Sequence, residues 1–168
     1  MNGAVASIAA IIERELRSLR AQVEACSDER DLWLIAPGIA NPPGVLAAHL
    51  VGNLQHFIGA RLGGTGYVRD RDAEFARRDR SRGELVAAID ETRGVVRATL
   101  SALPEGELDL DYPDAIAGVR VTTGDLLIHL ASHLAYHLGQ IDYHRRLLAG
   151  GGPLRSVPIQ ELVTARPT

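Results

Sequence analysis

Between His129 and His144 the chain reads HLASHLAYHLGQIDYH, and four of its six histidines fall in that stretch. His129, His133 and His137 follow at intervals of four residues, and His144 comes seven later. Residues i and i+4 share a face of an α-helix. At about 100° per residue, His129, His133, His137, Gln140 and His144 occupy an arc of roughly 80°. Leu126, Leu130, Leu134 and Ile141 lie beside or within that arc, and Asp142 and Arg146 lie away from it. The imidazoles are therefore expected to point inward, next to the apolar seam. A buried ring nitrogen without a partner costs on the order of 1–3 kcal/mol. Backbone or water readily satisfies one such ring. A row of them is satisfied most simply by a metal ion on neutral imidazole nitrogens.

Such a row needs rigid elements to carry it, and the chain supplies apolar periodicity in four long segments. Ile8, Ile12, Leu16, Leu19 and Val23 keep helical spacing over residues 4–26. A second helix is expected from about 43 to 62, started at Asn41-Pro42-Pro43 and stopped by the GGTG at 63–66. Its inward face carries Leu46, His49, Asn53, His56, Phe57 and Ala60. Ser81 and Glu84 fit a capping box for a third helix to about 103. Thr122 and Asp125 begin a fourth, which the glycines at 150–152 end. The fold class is thus all-α, an antiparallel four-helix bundle over a single domain, 1–168, with a short β-hairpin over 107–121 before the last helix. Trp33 and Leu34 are expected to plug the first connection. Residues 67–82 hold six arginines and four acids and read as a solvated connection, pinned by Tyr67 and Phe75.

Composition excludes several chemistries. There is no lysine among the 18 basic residues, so Schiff-base and lysine-bound pyridoxal chemistry are out. Cys26 is the single cysteine, which removes intrachain disulfides and cysteine-rich zinc sites and fits a reducing compartment. A net charge of −3, without aromatic interleaving in the basic segment, gives no case for nucleic acid. The longest uncharged run, Leu126 to Ile141, is short for a bilayer and carries three histidines. The start lacks a basic leader pattern. A soluble, cytoplasmic protein is expected.

A three-nitrogen site needs two donors from the last helix and one from elsewhere. His133 and His137 are the central pair, and the second helix offers His49 and His56, of which His49 is taken as the third ligand. Asn53, His56, His129 and Gln140 are then supporting positions or the lining of a substrate pocket. Three imidazoles leave a coordination position free, the pattern of a catalytic rather than a structural site. The H-E-x-x-H protease motif is absent, because Leu134 follows His133. No nucleophile elbow, phosphate loop or dinucleotide fingerprint is present.

VLAAHLVGNLQHFIG in the second helix and HLASHLAYHLGQID in the fourth give the chain a resemblance to the DinB-like (YfiT-like) superfamily, extending loosely over most of its length. The resemblance implies a four-helix bundle, commonly dimeric, with one metal-binding histidine on the second helix. Two more lie four apart on the fourth, before a Gly-Gln pair. Here those are His49, His133 and His137, followed by Gly139-Gln140. Many members carry arginine before the Gly-Gln pair, where this chain has Leu138. That position faces away from the histidine arc, so the difference bears on packing or a dimer surface.

The implied cofactor is a divalent transition metal, zinc first, with nickel or iron as alternatives. The implied activity is thiol-dependent S-transfer with a small-molecule thiol, and the implied partner is a second copy of the chain. Two further readings stand beside it. One is a dimeric helical interaction module without catalysis. The other is a hydrolase using metal-bound hydroxide, ranked last because no general base is evident beside the histidines.

Overall fold

The computed structural model describes residues 3–104, 106–149, 152–154 and 156–162. Apolar spacing becomes helix where it was expected. Helix α1 spans Gly3–Glu24, α2 Pro43–Leu54, α4 Arg82–Ala102 and α5 Thr123–Ala149, with one further short helix, α3, at Arg71–Ala76. Ile12, Leu16, Leu19 and Val23 of α1 are fully buried. That stripe packs against α4 and α5, while α2 packs against α5 and α4. The pairs Glu13–Arg93 and Arg20–Asp90 show that α1 and α4 run antiparallel, since one number rises as the other falls. The described chain is an all-α bundle, and none of its helices is long and apolar enough to cross a membrane.

The caps explain the boundaries. Ser81 Oγ accepts from Glu84 N at 3.2 Å, and Glu84 Oε2 accepts from Ser81 N at 2.7 Å, closing the capping box of α4. Thr122 Oγ1 accepts from Asp125 N at 3.1 Å and starts α5. Asn41 does not cap α2. Pro42 holds that position without a side-chain bond, which the proline-tolerant first turn permits.

Three segments differ from expectation. The plug after α1 is Leu32 and Trp33, because a 3₁₀ turn at Glu29–Leu32 turns Leu32 into the core and leaves Leu34 exposed. Trp33 lies so close to α2 that a Cβ at Gly44 would meet its ring at 2.6 Å. Before α5 the chain doubles back, but among the described residues only two isolated antiparallel bridges form, Asp111 with Thr122 and Ile116 with Val119, and no strand ladder. Tyr112 anchors this turn by donating its hydroxyl to Phe57 O at 2.9 Å. Within 67–82, the expected solvated connection contains α3, capped by Asp70, whose Oδ1 accepts from Ala73 N at 2.9 Å. Helix α3 packs on α2 and carries Glu74 into the interior, with 8% exposure.

Candidate metal centre

His49 lies one and a half turns into α2, on a helix every residue of which is buried. His133 and His137 stand on consecutive turns of α5, both half-buried. Where α2 meets α5, the Nε2 atom of His133 lies 3.4 Å from that of His49 and 3.1 Å from that of His137. One ligand atom from each histidine lies within 4.8 Å of the other two. Two nitrogens at 2.0–2.1 Å from a common ion at a tetrahedral angle stand about 3.3 Å apart, so the observed spacings fit such an ion.

The tautomers are set from behind. His49 Nδ1 lies 3.0 Å from Glu74 Oε2, and Arg69 Nη2 lies 3.3 Å from the same nitrogen. An ionised carboxylate only accepts and a guanidinium only donates. The shorter contact, to the carboxylate, makes Nδ1 the protonated nitrogen and leaves the Nε2 lone pair to the centre. Likewise His137 Nδ1 donates to Gln140 Oε1 at 2.7 Å. With both Nε2 atoms as acceptors, the single Nε2 of His133 can satisfy at most one of them by hydrogen bonding. A cation satisfies all three at once.

Glu74 is held as an anion. Burial alone would raise its carboxyl pKa, but hydrogen bonds from Arg69 and His49 outweigh that and hold it below the usual range. Arg69 donates to it twice, Nε at 2.7 Å and Nη2 at 2.8 Å. Gly52, one turn after His49, makes room: a Cβ there would sit 2.0 Å from Glu74 Oε1. Phe75 closes the other side of His49, with ring centroids 4.8 Å apart. Burial, with the neighbouring His137 and His49 rings, pushes His133 down to about 4, and burial also lowers His137. Both rings are thus neutral near pH 7, as metal coordination requires.

The remaining candidates divide. Asn53 is buried one turn from His49, and its Oδ1 has no partner among the described residues, nor does His133 Nδ1. Both are buried polar atoms closed to solvent. Gln140 is exposed yet bonded to His137. His129 is exposed and stacks on His133 with centroids 6.0 Å apart, outside the group of three. Its expected inward orientation fails: the ring is left exposed although Leu126, Leu127 and Leu130 around it are buried. His56 also stands outside the group, its ring 4.8 Å from that of Phe57. Two turns separate it from His49, about 10 Å along the axis, and from Gln55 the helix widens into a π turn that shifts its face. His144 is buried as expected, with neither ring nitrogen bonded among the described residues. Leu138 is buried, so the arginine-to-leucine difference falls on packing.

Sequence reasoning missed Glu74 and Arg69. The only signals were the Asp70 cap and Phe75 beside the acid, too little to separate a buried carboxylate from nine charged neighbours of the same segment.

No curated protein and no solved structure matches the chain. The family model described as the DinB superfamily matches residues 11–141, a span that contains all three histidines together with Arg69 and Glu74. On that match, the chain belongs to the DinB superfamily.

Proposed function

We propose that this protein is a metal-dependent enzyme that transfers a small thiol to an electrophile, with His49, His133 and His137 holding a divalent ion, zinc before nickel or iron. The observation that carries the reading is the convergence of three Nε2 atoms, two of them with their tautomers set by Glu74 and Gln140. Bound there, an ion with three neutral ligands supplies Lewis acidity that favours the deprotonated form of a thiol or water. The chain does the rest. Glu74 and Gln140 orient the rings, Arg69 keeps Glu74 ionised, and Phe75 shields His49 from water. In the transfer, the thiol proton passes to solvent and sulfur forms the new C–S bond. The leaving group departs with the electrons of the bond that breaks.

The test is elemental analysis of protein purified without a histidine tag, followed by thiol consumption in the presence of an electrophile. One equivalent of metal, lost in His133→Ala, together with thiol loss supports the proposal. Metal without thiol turnover removes the transferase and leaves the site. Hydrolysis ranks below, because the carboxylate nearest the histidines, Glu74, is already held by Arg69 and His49 and is not free to act as a base.

A homodimer is the second reading. Ile128, Tyr136, Tyr143 and Leu147 are all exposed on α5, between 59% and 74%, within an arc of about 100°. Such an apolar stripe suits a second copy of the chain. Sedimentation of the parent and of Ile128→Asp tests it. A monomeric parent overturns it.

A further inference from the structure

Beside His137, between α5 and residues 38–41, lies a cavity of about 610 Å³. His137 belongs both to its wall and to the histidine group. The volume falls in the range of small-molecule sites, about 300–1,000 Å³. Ile39, Leu46, Tyr136, Tyr143 and Leu147 give it an apolar and aromatic wall. Although 23% of the chain is charged, none of the described lining residues is. A charged ligand would surrender hydration here without gaining an ionic partner. A flat apolar one would gain contact with the two tyrosine rings.

His144 lines the cavity at 4% exposure, and both of its ring nitrogens are closed to solvent. Burial pushes its pKa down, which keeps it neutral. It therefore adds neither charge nor an open polar group to the wall.

We infer that this cavity binds a neutral aromatic molecule, held against Tyr136 and Tyr143, and that this molecule is the electrophilic substrate. The second half rests on the metal-dependent transfer proposed above. Its position follows from the shared wall: a ligand seated against Tyr136 and Tyr143 shares that wall with His137, one of the three histidines.

The experiment uses the full chain as purified, with metal content measured on the same sample. It is titrated calorimetrically with 2-naphthol, which is neutral at pH 7, with naphthalene and with 2-naphthoate. Saturable one-to-one binding of 2-naphthol, at least about tenfold tighter than 2-naphthoate, is expected. Ile39→Asp, at a wall position 38% exposed in the loop before α2 and off the α5 stripe, should weaken 2-naphthol by about tenfold or more. Naphthalene should bind within about tenfold of 2-naphthol, because the wall offers apolar and aromatic contact rather than an open polar partner. Equal binding of 2-naphthoate, or no effect of Ile39→Asp, overturns the inference. Metal with no naphthol binding overturns the cavity assignment alone. Naphthol binding without metal supports the cavity and overturns the link to metal-dependent transfer.

Discussion

Replacing Glu74 by glutamine strikes the point where the charged segment meets the histidines. The carboxylate accepts from His49 at 3.0 Å and from Arg69 at 2.7 and 2.8 Å. Glutamine has one acceptor oxygen and an NH₂ group that must face a donor. If the oxygen stays on Arg69, His49 Nδ1–H loses its acceptor. If it stays on His49, Arg69 faces the NH₂ group, and in either orientation a guanidinium with 12% side-chain exposure loses its countercharge. Loss of such a partner behind a ligand histidine costs about 10–100-fold in metal affinity, equivalent to about 1.4–2.8 kcal/mol. Removing one member of a buried ion pair costs the fold about 3–5 kcal/mol, set against a total of about 5–15 kcal/mol. The assay is therefore run in two parts. Circular dichroism establishes that Glu74→Gln is folded, and competition with a chromophoric chelator then gives its zinc dissociation constant. A folded variant that binds zinc within about twofold of the parent would refute the claim that Glu74 orients His49.

Other outcomes follow from the same geometry. Gly52→Ala puts a Cβ 2.0 Å from Glu74 Oε1; it should weaken zinc binding as Glu74→Gln does and destabilise the fold by about 1–3 kcal/mol, and an unchanged melting point with unchanged affinity would contradict the contact. His133→Ala should abolish metal uptake while His129→Ala and His56→Ala keep one equivalent by elemental analysis, since neither ring joins the group of three; loss of metal in either would move the centre. In chelator-treated protein, an unfolded histidine takes its proton near pH 6.5 and folded His133 only near about 4. Between those values the unfolded state binds more protons, so stability is full above the upper value and falls as pH drops towards the lower one. His137, lowered in the same direction, and Glu74, lost at still lower pH, add to the same slope. Urea melts from pH 7 to pH 4 measure it, and a flat or rising profile would show that these rings are not buried as described.

The residues that report on themselves are those whose neighbours lie within one helix. Ile12, Leu16 and Leu19 announce a buried stripe because helical spacing alone puts them on one face, and all are fully buried. Ser81 with Glu84, and Thr122 with Asp125, announce helix starts because both partners of each cap are three residues apart. His133 and His137 are legible for the same reason: four residues on a helix make one ridge. The 80° histidine arc was too generous, however. Periodicity says which side of α5 a ring occupies, not whether anything covers it, and His129 is left in solvent.

Helical rhythm, caps, the absence of lysine and the histidine spacing are thus properties of the chain read in order, because each depends on covalent neighbours or on one turn of backbone. The meeting of His49 with His133 across 84 positions, and of His49 with Glu74 across 25, depends on the path of three loops and the packing of α3 on α2. A segment as rich in charge as 67–82 has no apolar stripe to betray burial. Only when α3 packs over Gly52 does one carboxylate among many become the anion behind a histidine.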